Sequence, residues 1–247
     1  MASTSAARSA GNVPFEAIGK KAFQFLRDLK AHNDRDWFRE RKHVFEEELK
    51  QPLEALLRDS AALIRKGGFP LYPKEKNPTT RIYRDIRFRA DKTPFNTHLG
   101  GSLRGLGAKA ALGEIYVHVT LGEPFVAAGY WMPERPFLHA WRERMARDPA
   151  EYMKLLKQLS RNGMQCLDEH SLKRLPKGFE SQGGAPLEKE FKRQVYIVHQ
   201  RLTERDFSSP EAVKTIARFA LAARPLIEYG WELKYSPKRD ILDNEKF

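Results

Sequence analysis

Apolar side chains at Phe15, Ile18, Ala22, Phe23, Leu26 and Leu29 recur at helical spacing and then meet the polar break His32-Asn33-Asp34. The spacing predicts a first amphipathic helix. Asn33 or Asp34 can cap a second helix, whose stripe runs through Trp37, Val44, Phe45, Leu49, Leu53, Leu57 and Ile64 to Gly67-Gly68. Pro52 should kink or split it. The two helices are expected to pair as an antiparallel hairpin.

Beyond Gly68 the period changes. Pro70, Pro73 and Pro78 mark a loop, and β-type alternation begins at Thr79-Thr80. The clearest strand covers residues 114–121, with Ile115, Val117, Val119 and Leu121 on one face and Glu114, Tyr116, His118 and Thr120 on the other. Residues 124–131 read as a further extended segment. Helical spacing resumes at Phe137, Leu138, Trp141 and Met145, and Asp148-Pro149 opens another helix. Residues 172–185, with Pro176, Gly178, Gly183 and Gly184, read as a long surface loop, residues 195–202 as a returning strand, and residues 210–231 as a final helix distorted by Pro225. The expected fold class is therefore α+β: a mostly antiparallel, curved sheet flanked by the N-terminal helical hairpin and C-terminal helices. Residues 1–13 read as a disordered tail, 14–235 as a single domain and 236–247 as a polar C-terminal tail.

Composition narrows the class. Of the 247 residues 41% are hydrophobic, enough to build a core without staples. Cys166 is the single cysteine, which excludes an internal disulfide and fits a reducing, cytoplasmic setting. No stretch approaches the ~18 apolar residues that span a bilayer, so no membrane partner is expected. The formal net charge of +12 favours an anionic partner, either a metabolite or nucleic acid. Trp37, Trp131, Trp141 and Trp231 are scattered over separate elements, which weakens the case for a base-stacking platform.

The segment richest in chemistry is 81–97, RIYRDIRFRADKTPFNT, with five cations and two anions. Read as a strand, it puts Arg81, Tyr83, Asp85, Arg87 and Arg89 on one face and Ile82, Arg84, Ile86 and Phe88 on the other. Two readings stand. In one, Arg81, Arg84, Arg87 and Lys92, with Tyr116 across the sheet, bind the phosphate or carboxylate of a small ligand while Asp85 or His118 transfers a proton. In the other, Arg84 and Asp85 sit in structural ion pairs with the acidic helix Glu46-Glu47-Glu48 and the outer arginines are simply solvated. Gly100-Gly101 and Gly105-x-Gly107 lack the spacing of a phosphate-binding loop and read as turns. No metal-ligand or nucleophile signature occurs, and no cofactor is indicated.

Four stretches resemble domain-of-unknown-function family 2461, found in bacteria and fungi. They are His32-Asn33-Asp34-Arg35-Asp36-Trp37-Phe38, the whole 81–97 run, Tyr116-Val117-His118 with Gly129-Tyr130-Trp131-Met132-Pro133, and Leu172-Lys173-Arg174-Leu175-Pro176-Lys177-Gly178-Phe179. The chain departs from the family pattern at Asn96, where lysine is usual, and after Phe179, where Ser181-Gln182-Gly183-Gly184 replaces an Asp-His-Pro. The resemblance implies an intracellular α+β domain and carries no established activity. The function read from the sequence is a cationic pocket for a small phosphate- or carboxylate-bearing molecule, the alternative being a non-catalytic nucleic-acid or protein adaptor.

Overall fold

In the computed structural model, which describes residues 13–74, 76–107 and 113–235, the chain order is helical hairpin, antiparallel sheet, paired helices, last strand and long closing helix. The expected α+β class is observed. The tails expected over 1–13 and 236–247 lie, apart from Val13, outside the described residues.

Helix α1 (Lys20–Ala31) starts later than the apolar spacing predicts. Phe15 and Ile18 are buried all the same, held ahead of the helix by Phe15 N–H donating to Asp59 and Ile18 N–H to the Phe207 carbonyl. Asp34 caps α2 (Arg35–Val44), its carboxylate accepting from the N–H groups of Asp36 and Trp37. The helix then passes through a π-helical turn, Phe45–Lys50, into α3 (Gln51–Lys66). Pro52 sits in the first turn of α3, where a missing N–H costs little, so the wider turn absorbs the proline that the sequence marks as a kink.

The sheet is a meander, β1-β2-β3-β4-β5: β1 (Tyr72–Pro73), β2 (His98–Arg104), β3 (Glu114–Thr120), β4 (Phe125–Tyr130) and β5 (Tyr196–Arg201), each antiparallel to its neighbour. Its buried face presents Leu99, Leu103, Ile115, Val117, Val119, Val126 and Val198 to α3 and to the last helix, α7 (Glu211–Trp231), which pack on each other. α7 continues through Pro225. α4 (Arg135–Arg147), α5 (Pro149–Arg161) and the short α6 (Glu188–Lys192) lie between β4 and β5. Around them Trp141 stacks on Tyr196 at 4.1 Å, and Glu190 joins Arg193 at 2.8 Å to the Tyr152 hydroxyl at 3.0 Å. Residues 172–185 are irregular apart from a single turn, Glu180–Gln182.

Two expectations are corrected. Residues 81–89 are not a strand: apart from the isolated bridges Thr79 with Gly101 and Tyr83 with Phe95, the segment folds back on itself. Arg84 N–H donates to the Pro94 carbonyl and Asn96 N–H to that of Ile82, so the backbone partners come from within the excursion. Gly100 and Gly101 are not turns but the centre of β2. A Cβ at Gly100 would strike Tyr116, and one at Gly101 would strike Leu57, so a large side chain crosses the strand on each face.

Candidate functional site

The face of the sheet turned away from α3 and α7 is only partly covered. Strand register places Ser102, Tyr116, Ala127 and His199 in one row across β2 to β5, and Gly100, His118, Phe125 and Arg201 in the next. Ser102, Tyr116, His118, Phe125 and Ile197 are accordingly half-buried. A cavity of about 630 Å³ opens over this face, with Phe125, Ala127, Gly129 and Ile197 as floor, and with Tyr116, Trp131, His199 and Arg201 around it. Leu167 and Glu169 form a wall from the segment beside β5, where Leu167 N–H donates to the Ile197 carbonyl.

The Tyr116 hydroxyl lies 3.1 Å from His118 Nδ1. His118 stacks on Phe125 with ring centroids 4.7 Å apart and touches the His98 ring at 4.6 Å. Burial, with His98 beside it, pulls His118 down to about 4; burial lowers His98 as well. Burial and the neighbouring Glu114 push Tyr116 up to about 12. At neutral pH the pair is therefore a phenol and an uncharged imidazole, and the phenol can donate to Nδ1. Carboxylates outnumber cations around the cavity: Glu114, Glu123 and Glu169 against Arg201. Glu114 is held by Arg104 at 2.5 Å and Glu123 by Arg201 at 3.0 Å.

The charged segment lies elsewhere. None of Arg81, Arg84, Asp85, Arg87 and Lys92 lines the cavity, whereas Tyr116 does and His118 backs it. The acidic turn Glu46-Glu47-Glu48 is not their partner either. Arg84 donates to Asp91 at 2.6 Å and to the Thr93 hydroxyl, Arg87 grips Asp85 at 2.7 Å, and Lys92 donates to the Ile86 carbonyl at 3.0 Å. The Arg87 hydrogen bonds hold Asp85 down at about 2. The Thr93 N–H and the Arg84 guanidinium do the same to Asp91. Arg81 and Arg89 form no ion pair among the described residues.

Sequence reasoning reached Tyr116 and His118 through the period of β3 but missed Phe125, Ala127, His199 and Arg201. The same alternation was present in Phe125-Val126-Ala127-Ala128-Gly129 and in Ile197-Val198-His199-Gln200-Arg201. Leu167 and Glu169 carried no local signal, because only the edge of β5 brings them to the cavity.

Among the described residues no three His, Cys, Asp or Glu side chains are grouped to hold a metal ion, and no helix is long and apolar enough to cross a membrane. No curated protein and no solved structure matches the chain. A family model does, over residues 21–229, which span all five strands and all but the last two residues of α7. The helical hairpin, the arginine segment and the Tyr116 face thus fall within one matched stretch, and the chain belongs to the conserved hypothetical protein family DUF2461.

Proposed function

We propose that the protein binds a small organic molecule on the open face of its sheet, with the apolar body of the ligand over Phe125, Ala127 and Ile197 and its polar end at Tyr116 and His199. The observation that carries this reading is the cavity itself: its volume falls in the ~300–1,000 Å³ range of ligand sites, and a few polar groups converge over an apolar floor. In this reading residues 14–235 act as one domain, supported by the continuous core from Phe15 to Tyr229.

The titration of the candidate groups supports binding over catalysis. Moving a proton from Tyr116 to His118 takes it from a group titrating at about 12 to one at about 4, which is steeply uphill. Asp85, at about 2, is a weak base at neutral pH. Tyr116 is therefore the contact residue and His118 its positioning residue. With Glu114 and Glu123 each held by an arginine, the remaining carboxylate, Glu169, favours a neutral or amine-bearing ligand in the cavity. The phosphate- or carboxylate-bearing ligand finds its support at the 81–92 segment instead, where Arg81 and Arg89 have charge to spare.

A thermal-shift screen of aromatic alcohols, amines and carboxylates against the wild type and Ala127→Trp tests the reading. Ala127 faces the cavity, so the tryptophan fills it from the floor. A ligand at 100 times its Kd stabilises by roughly 2.7 kcal/mol, and the shift should vanish in the variant. Equal shifts in both proteins would place the ligand elsewhere and refute the assignment.

A further inference from the structure

The 81–97 segment ends in an exposure that packing does not explain. Phe88 is 93% exposed, flanked by Arg87 and Arg89. The base of the excursion is firmly held: Ile82 and Phe95 are buried, Phe95 stacks on Phe38 at 4.2 Å, and the Asn33 side chain bonds both the N–H and the carbonyl of Phe95 at 3.0 Å. Arg84, 18% exposed, ties the two arms together through Asp91 and Thr93. The ring is thus carried outward on a fixed stem. Tyr83, 59% exposed, sits on the same stem against Phe38 and Phe95.

We propose that this loop is a contact surface for single-stranded nucleic acid, with Phe88 stacking on a base and Arg81 and Arg89 meeting phosphates. An exposed aromatic ring beside guanidinium groups is the pairing that a single strand recognises, because every base offers a π-face and every linkage a charge. Asp85 and Asp91, the acids of the tip, are already neutralised by Arg87 and Arg84, so the surplus left for a partner is positive. The net charge of the whole chain, +12, acts in the same direction. A bilayer fits less well: one ring offers it little apolar area, whereas one ring is all that one stacked base requires. A broadly apolar protein surface is opposed by the surrounding cations. The proposal is independent of the sheet-face cavity.

The test is fluorescence anisotropy with labelled dodecamers of uridine and of thymidine, using the full chain at low and physiological salt. The wild type should bind, with affinity falling as salt rises. Phe88→Ala, which loses a contact with the Arg87 guanidinium 5.9 Å from the ring on a side chain 93% exposed, should raise Kd roughly tenfold or more, and Phe88→Trp should retain binding. Arg89→Ala should lower the slope of log K against log salt by about one. Ala127→Trp should bind like the wild type, which separates this surface from the cavity. The proposal is overturned if the wild type ignores both oligomers, or if Phe88→Ala binds as well as the wild type. Phe88-dependent sedimentation with phosphatidylserine vesicles in place of oligomer binding would equally overturn it.

Discussion

The hydroxyl of Tyr116 lies over Gly100 of the neighbouring strand and fills the space that a Cβ there would take. The glycine is thus what allows the phenol to lean back toward His118 and leave the cavity open. Gly100→Ala should destabilise the protein by about 1–3 kcal/mol, as overpacking does. In a Tyr116→Ala background the same change should cost much less. A double-mutant cycle by urea denaturation reads the coupling, and strict additivity would show that the two residues do not compete for that space.

The His118 imidazole sets a pH dependence whose sign follows from burial. Its folded value is about 4 against an ordinary 6.5, so between those values the unfolded chain takes the proton more readily. The stability held above pH 6.5 is lost as pH falls through this window, and His98, lowered by burial, adds to the loss. His118→Gln should flatten the profile between pH 6.5 and 4 relative to the wild type. Denaturation midpoints at four pH values measure it; parallel profiles would assign the acid sensitivity to other groups.

The Arg84 clamp predicts a local effect without a global one. Asp91→Asn and Arg84→Ala should free the tip, so that trypsin cuts after Arg87 and Arg89 several times faster, while the melting temperature moves by only a few degrees. A timed digest followed by mass spectrometry reads both sites. Unchanged cleavage would mean that Phe95 and Asn33 alone hold the stem.

Glu190 shows the opposite case, since it and Arg193 are 9% and 5% exposed. Glu190→Ala removes the carboxylate between Arg193 and Tyr152 and should cost about 3–5 kcal/mol. At roughly 2–4 °C per kcal/mol for a chain of this size, the melting temperature should fall by about 10 °C. Arg193 keeps its contacts to Asp168 and the Leu167 carbonyl, so a loss under about 1 kcal/mol would mean that these suffice.

Much of the fold was legible because its elements keep a clean period. Residues 114–121 alternate without interruption, and the strand found there places Glu114, Tyr116 and His118 together on the open face. The cap of α2 was readable as Asn33 or Asp34, and the structure gives it to Asp34. Gly100-Gly101 was not readable as strand, because the reason for two glycines lies in Tyr116 and Leu57, which arrive from other elements. The 81–89 alternation misled for a related reason: Arg84 finds its carboxylate seven residues on, at Asp91, so the chain satisfies itself by folding back instead of pairing along a sheet. The cavity was half legible, since three strands announce their faces and the 167–169 wall does not.

The covering of the sheet by α7 governs the order in which the protein can be made. The strands follow one another in space as in sequence, so β2, β3 and β4 can zip up as soon as they leave the ribosome. Their apolar face rests on α3 but lacks its second cover until Glu211–Trp231 arrives, more than eighty residues after β4. During synthesis Val117, Val126 and their neighbours stay partly bare through that interval, and a nascent chain stalled before α7 is the form of this protein most in need of a chaperone.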